Sequence, residues 1–133
     1  MNERMTPVPT DSELDILQVL WQSGPQTVRF VNEFLNKKRS AEDKEIGYTT
    51  TLKFMQIMLD KGLLEREIIE RSHIYKPSVS EEQTQSQVLR GVMDAAFRGS
   101  ATSLVLRALG SGKTTPEELD KIKALIDEIE KNR

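Results

Sequence analysis

The sequence predicts a mainly α-helical protein with one small β-hairpin, and three observations lead to this fold class. Apolar residues recur at three- and four-residue steps in six segments of the 133-residue chain, which is typical of amphipathic helices. Between the third and fourth segments, two short β-favouring runs flank a polar turn, which predicts a hairpin. A shift in composition at Ser78 separates a predicted N-terminal domain, residues 1–77, from a helical C-terminal domain, residues 78–133.

Composition excludes several classes of protein. The chain has no cysteine and a single histidine, so a disulfide, a thiolate metal site or a catalytic triad is not expected. We therefore expect no enzymatic activity, no cofactor and no bound metal. No apolar run is long enough to span a bilayer, and the N-terminus lacks the apolar segment of a signal peptide. These features predict a cytoplasmic protein without membrane insertion.

The first helix is predicted between a capping residue and a glycine. Residues 1–9 contain two prolines and are expected to form a loose arm. Thr10 and Glu13 have the spacing of a capping box, and Gly24 is expected to stop the helix. Trp21 lies on the apolar stripe and is expected in the core.

The second helix is predicted to begin after Thr27 and to end in a basic run that includes Lys37 and Lys38. Cations near a helix C-terminus are favoured by the helix dipole. They could equally contact DNA phosphates beside a recognition helix, and the sequence leaves both explanations open.

The third helix is predicted within the stretch from Gly47 to Gly62. Its apolar face contains Leu52, Met55, Met58 and Leu59, and its polar face contains Thr49, Lys53, Gln56 and Asp60. Thr49 or Thr50 is expected to cap its start, and Gly62 to close it in a left-handed conformation. Glutamine can bind an adenine edge, and lysine a guanine or a phosphate, so this polar face suits a DNA groove. The same pattern also fits an ordinary surface helix.

The hairpin completes a winged helix-turn-helix pattern, which is three helices followed by two strands. Arg71 and Ser72 are expected at the wing tip, where a cation can meet a phosphate or enter the minor groove. His73 has neither a cysteine nor a second histidine to join it, which favours a hydrogen bond at the strand end or a phosphate contact over a metal or catalytic role.

The C-terminal domain is predicted to be three amphipathic helices that together bury too little to form an independent core. A second copy of the chain is the preferred partner, because two-fold pairing buries the same stripe on both protomers. The alternative is that these helices fold back on their own winged domain. The predicted dimerisation residues are Val88, Leu89, Val92, Phe97, Leu104, Val105, Leu109, Leu119, Ile122, Leu125, Ile126 and Ile129.

Four pieces of the sequence together resemble the penicillinase-repressor family of bacterial transcription regulators, the BlaI/MecI/CopY type. They are TDSELDILQVLW in the first helix, YTTTLKFMQIMLDKGLLER in the third helix, RSHIYKP in the wing and FRGSATSLVLRAL in the tail. The tail piece is the discriminating one, because many winged helices share the other three.

The resemblance implies a homodimer that represses transcription by occupying a palindromic operator on double-stranded DNA. It implies that the third helix and the wing contact DNA, and that a membrane metalloprotease receptor can relieve repression in some members by cutting the tail. The matching cleavage segment comprises Ser100, Ala101, Thr102 and Ser103. With the face and wing residues above, the predicted DNA-contact set is Tyr48, Thr49, Thr50, Thr51, Lys53, Gln56, Arg71, Ser72, His73, Lys37 and Lys38.

Charge supplies the main alternative. The net charge is −2, and residues 1–77 carry 11 Lys and Arg against 12 Asp and Glu. Proteins that bind nucleic acids often have a basic face, so an even balance also fits a winged-helix module that binds other proteins and has no specific DNA target.

Overall fold

The computed structural model describes residues 7–133, so most of the predicted N-terminal arm, residues 1–6, lies outside the described residues. Residues 7–10 have no regular structure, as expected, but Pro9 is buried, so this end of the arm is packed and not loose. The described elements, in order, are α1 (Asp11–Ser23), α2 (Val28–Lys38), α3 (Tyr48–Lys61), β1 (Leu64–Ile69), β2 (Ser72–Pro77), α4 (Glu81–Ala96), α5 (Ala101–Gly110) and α6 (Pro116–Lys131). The predicted mainly α-helical fold with one hairpin is confirmed.

Local capping explains where most of the helices begin. The Thr10 hydroxyl accepts from the Glu13 amide at 3.2 Å, and the Glu13 carboxylate accepts from the Thr10 amide at 2.9 Å, which completes the predicted capping box. Thr27 caps α2, and Thr115 with Glu118 forms a second capping box at α6. These contacts stabilise helix starts by using amides that have no partner within the helix.

The core of the first unit lies where α1, α2 and α3 meet the hairpin. β1 and β2 pair antiparallel, with Leu64 opposite Pro77 and Ile69 opposite Ser72. A two-bond bridge between Gln26 and Tyr75 ties the chain between α1 and α2 to β2. The buried apolar residues are Ile16, Leu17, Val19, Leu20, Val28, Val31, Met55, Met58, Leu63, Leu64 and Tyr75. Burial of this cluster is the main term that holds the three helices and the hairpin together.

Trp21 is half-buried against this core, and its indole N–H donates to the Val79 carbonyl at 3.0 Å. The sequence prediction of a core role for this residue is therefore confirmed. The contact also fixes the segment between β2 and α4 against α1.

The boundary between compact units falls later in the chain than Ser78. By packing, the chain divides between Val88 and Leu89, because the start of α4 is held to the first unit. Thr84 in this first part of α4 is buried, and its hydroxyl donates to the Ser80 carbonyl. The assignment of the start of α4 to the C-terminal domain, residues 78–133, stays a prediction.

The second unit, residues 89–133, buries no side chain fully in the monomer. Among the predicted dimerisation residues, Val88, Phe97, Leu104, Leu109 and Ile122 are half-buried, whereas Leu89, Val92, Val105, Leu119, Leu125, Ile126 and Ile129 are exposed. Three helices with this many exposed large apolar side chains lack the burial that normally stabilises a folded unit. Within residues 7–133, no helix is both long and apolar enough to cross a bilayer.

One ion pair joins the start of the first helix to the end of the third. The Glu13 side chain is 2% exposed, and its carboxylate lies 2.8 Å from Lys61 Nζ. Burial alone would raise the pKa of Glu13. The hydrogen bonds from Lys61 and from the Thr10 backbone outweigh burial and hold this pKa below its usual value of 4.5. The carboxylate therefore favours the folded state when it is ionised.

Replacing Lys61 by methionine is expected to destabilise the protein by about 1 kcal/mol at neutral pH, because the lysine is partly exposed and its pair with Glu13 is partly screened. A folded-state pKa below 4.5 means that the stabilisation is present above pH 4.5 and is lost as the pH falls through the lowered pKa. The difference between variant and parent should therefore shrink in acid. Urea denaturation at several pH values measures this, with the exposed Lys44→Met as control. A difference that is the same at pH 7 and pH 3 would contradict it.

Candidate nucleic-acid interface

Helix α3 begins and ends on glycines. Gly47 is the N-cap and no side chain caps the first turn, so the expectation that Thr49 or Thr50 caps this helix is wrong. The reason is that the helix starts at Tyr48, which places both threonines inside the first turn instead of before it. Gly62 has φ 85° and closes the helix in the left-handed conformation, as predicted.

The two faces of α3 separate as the spacing predicted. Met55 and Met58 are fully buried, and Leu52 and Leu59 pack at the edge of the core. The exposed face carries Thr49, Thr50, Lys53, Gln56 and Asp60. Tyr48 is also exposed at the start of the helix. This face offers hydroxyl, amide, ammonium and carboxylate groups to solvent, and Ile57, which is 38% exposed, is an apolar side chain among them.

Thr51 is a correction to the predicted set. Its side chain is 1% exposed, and its hydroxyl accepts from Asn32 Nδ2 at 2.9 Å. A side chain in this position packs α3 against α2 and presents no atom to a DNA groove. In a run of three threonines, successive side chains point about 100° apart, so at most two neighbours can share an exposed face.

Two asparagines of α2 fix the residue that leads into α3. Asn36 accepts from the Ile46 amide at 2.7 Å and donates to the Ile46 carbonyl at 2.9 Å. Asn32 donates to the same carbonyl at 2.8 Å as well as to Thr51. The main chain just before the exposed helix is therefore anchored by side-chain hydrogen bonds, although the loop before it is charged and exposed. Nothing in the sequence pattern pointed to this role.

The wing turn is tighter than predicted. Only Glu70 and Arg71 lie between the two strands, with φ values of 48° and 72°. Ser72 is the first residue of β2 and pairs with Ile69, so the expectation that it lies at the tip is corrected. Two-residue turns of this kind prefer asparagine and glycine, and a residue with a side chain in the left-handed region costs roughly 1–2 kcal/mol.

A groove of about 480 Å³ opens between the wing, the start of α2 and α3. Arg71, Ser72 and His73 of the predicted set line it, together with Tyr48 and Gln56 of α3. The other lining residues are Thr27, Val28, Arg29, Leu52, Arg66 and Tyr75. The structure therefore brings the wing residues together with Tyr48 and Gln56 of α3 on one concave surface, whereas Thr49, Thr50 and Lys53 do not line it.

Sequence reasoning missed Arg29 and Arg66 in this groove. Arg66 could have been found, because it lies two residues after the buried Leu64 and opposite Tyr75, and so shares their face of the hairpin. Arg29 carries no such signal. Its guanidinium carbon lies 5.7 Å from the centre of the Tyr48 ring, a contact that depends on how α2 crosses α3.

Lys37 and Lys38 are exposed in the last turn of α2 and do not line the groove. Lys38 Nζ lies 4.8 Å from the centre of the Phe34 ring. A cation–π contact and a favourable helix dipole together account for this lysine without DNA. Phosphate contact by either lysine stays a prediction, as does the role of His73, which is exposed on β2 opposite Ile68.

Three packed helices closed by a hairpin, with the third helix exposing a polar face beside the wing, define a winged helix-turn-helix domain, here followed by a helical tail. The sequence model of the penicillinase repressor family matches residues 9–128 of the chain. The chain belongs to the penicillinase repressor family, whose members are transcriptional regulators and not enzymes.

Two individual proteins are similar to this chain. A penicillinase repressor from Bacillus licheniformis is 24% identical over 127 residues, which cover 96% of this chain and 94% of the relative. The solution structure of the monomeric form of Bacillus licheniformis BlaI in complex with the blaP half-operator matches with 22% identity and a TM-score of 0.49, covering 59% of this chain and 89% of that one.

Proposed function

We propose that this protein is a homodimeric repressor that binds a palindromic operator through α3. One observation carries the proposal: the exposed face of α3 carries mainly polar side chains, with Ile57 as an apolar residue among them, whereas its opposite face is buried in the core. A helix that is anchored on one side and offers hydrogen-bonding groups on the other can enter a major groove, which is wide enough for an α-helix.

Each exposed side chain of α3 has a role in this proposal. Gln56 binds an adenine edge through its amide, and Lys53 binds guanine acceptors or a phosphate. Thr49 and Thr50, at the first turn, offer a hydroxyl and a methyl group, which suit a phosphate and a thymine methyl. Threonine side chains are short, so the first turn of α3 must lie deep in the groove.

The dimer is proposed from the tail. Residues 89–133 bury no side chain fully in the monomer, and their exposed valine, leucine and isoleucine side chains provide apolar surface for a second copy. Closed two-fold pairing covers the same surface on both protomers. Two α3 helices related by a two-fold axis then bind two half-sites of a palindrome.

Relief by proteolysis is proposed at residues 100–103. Ala101, Thr102 and Ser103 are exposed, which a protease requires. Ser100 caps α5 by accepting from the Ser103 amide at 3.1 Å. Cleavage there therefore requires the first turn of α5 to open, and a membrane metalloprotease receptor is the proposed enzyme. Incubation with such a receptor should yield one cut within this segment, measured by mass spectrometry, and an intact chain would contradict the proposal.

The proposal is tested by a gel-shift titration over the DNA upstream of the protein's own gene. Lys53→Ala and Gln56→Ala should each weaken binding to the specific site by about 1–2 kcal/mol, which is roughly 5- to 30-fold. Gln22→Ala removes the same side chain from an exposed position on α1 and serves as control.

Two results would defeat the proposal. One is the absence of any sequence-selective shift by the parent protein at moderate salt. The other is an equal loss of affinity by both α3 variants on operator and on scrambled DNA, because base contacts affect only the specific complex.

A further inference from the structure

Glu13 is the one acidic or basic side chain that is buried among residues 7–133. Each of its carboxylate oxygens has a separate partner: Oε1 accepts from the Thr10 amide at 2.9 Å, and Oε2 accepts from Lys61 Nζ at 2.8 Å. The bond to Thr10 belongs to the capping box, which glutamine forms as well as glutamate. The capping box therefore explains one oxygen, and only the contact with Lys61 requires a buried negative charge.

This ion pair stabilises the fold less than its short distance suggests. Removing a carboxylate from water costs free energy that the attraction to a cation only partly returns, and apolar side chains of similar volume often stabilise a fold as well. Lys61 is also 35% exposed, so solvent screens the pair. A hydrogen bond to a buried group is directional and fixes the position of its donor, which apolar contact does not. The pair therefore serves mainly to fix where the end of α3 lies against the start of α1.

Polar contacts hold α3 at both of its ends, and apolar contacts hold its middle. Before its first turn, Asn36 makes two hydrogen bonds to Ile46, and in its last turn Lys61 belongs to the ion pair. Between these ends, Met55 and Met58 are fully buried. Methionine is flexible and adapts to irregular space, so the middle of the helix tolerates small displacements. The alignment of α3 therefore depends on the contacts at its ends.

We propose that Glu13 is a positioning residue for operator recognition, which acts by fixing the last turn of α3 through Lys61. This inference rests on the proposed function, because it requires α3 to lie in the major groove. Glu13 is 2% exposed and cannot touch DNA itself. Gln56 lies five residues before Lys61, about 7.5 Å along the helix axis, so a displacement of the last turn also moves Gln56. Hydrogen bonds to base edges form only within a distance range of about 0.5 Å, and such a displacement weakens them.

The experiment measures the dissociation constants of the full-length protein for its operator and for a scrambled duplex, by fluorescence anisotropy at one salt concentration. Glu13→Gln keeps the acceptor for the Thr10 amide but turns an amide N–H group towards Lys61, where no acceptor remains. The ratio of the two constants should fall roughly fivefold, which corresponds to the weakening of one base contact. The affinity for the scrambled duplex should stay within about twofold of the parent, because no phosphate contact is removed.

Three further variants separate positioning from stability. Ile16→Val removes one methylene group from the buried side of α1, lowers the melting temperature and should keep the parental ratio. Lys61→Met should reduce the ratio as Glu13→Gln does, and the double variant should lose no more than either single variant, because both act through the same bond. Lys61→Arg keeps a cation for the carboxylate and should retain the parental ratio.

The outcomes distinguish this inference from the proposed function. If the parent selects its operator and Glu13→Gln keeps the parental ratio, the positioning role is overturned and the proposed function stands. Equal weakening on both duplexes, or the same loss of ratio in Ile16→Val, also overturns it, because general destabilisation then explains the effect. If the parent shows no preference for its operator, both fall. If Glu13→Gln does not fold, the ratio measured for Lys61→Met decides in its place.

Discussion

Val105→Asp is expected to convert the proposed homodimer into monomers. Val105 is 45% exposed in the monomer and lies on the apolar surface of α5 that the proposed dimer covers. Burying an unpaired carboxylate costs several kcal/mol, which is enough to dissociate a dimer whose interface is built from three short helices. Light scattering should then report the 15.2 kDa mass of one chain in place of twice that value.

A matched variant separates interface loss from helix loss. Ser103→Asp introduces the same charge on α5 two residues earlier, about 200° around the helix, and should leave the dimer intact. An acidic residue in the first turn of a helix is also favourable. A Val105→Asp protein that still scatters as a dimer would place the interface elsewhere in the chain. In the monomer, affinity for a complete palindrome should fall to that for one half-site.

Asn36→Ala is expected to destabilise the winged domain by about 2–3 kcal/mol and to weaken DNA binding beyond that effect. The substitution removes both hydrogen bonds to Ile46, each of which contributes about 1–1.5 kcal/mol. It also frees the main chain that sets where α3 begins. Urea denaturation measures the destabilisation, and faster hydrogen exchange of the Ile46 amide measures the freeing of the main chain.

Asn36→Asp provides the control for this prediction. The carboxylate keeps the acceptor for the Ile46 amide. It loses the donor to the Ile46 carbonyl, which Asn32 still satisfies, and a longer hydrogen bond of 3.4 Å to Asn32 Oδ1. Its effect should therefore be clearly smaller than that of alanine. Equal destabilisation by both variants would show that the pair of bonds does not position the loop.

The elements of the fold could be predicted because their signals are local. Thr10 with Glu13 forms the capping box that their spacing predicted, and Thr115 with Glu118 has the same spacing and forms a second one. Gly62 closes α3 because glycine adopts the left-handed conformation without a steric penalty, which is a property of that residue alone. The buried and exposed faces of α3 follow from the helical period, which any amphipathic segment displays.

The candidate interface could be predicted only in part, because its geometry depends on contacts between elements. Thr51 lies four residues before Met55 and seven before Met58, so the helical period places it on the buried face, whereas Thr50 lies on the exposed one. Its hydrogen bond from Asn32 of α2 could not be predicted, because it depends on how the two helices pack. Arg29 joins the groove because α2 and α3 cross near Tyr48. The wing turn was misplaced by one residue at Ser72, since the sequence there has no glycine or asparagine to mark it.

The exposed apolar side chains of the tail helices have a further consequence for a cell. Residues 89–133 bury no side chain fully in a single chain, so in the proposed dimer their folding draws its free energy from a second molecule and depends on concentration. At low concentration the tail would be poorly folded and easily degraded, and the protein would not repress. At high concentration the chains would assemble, resist degradation and repress their target. Repression by such a regulator would depend on the protein's own concentration, and therefore on gene dosage.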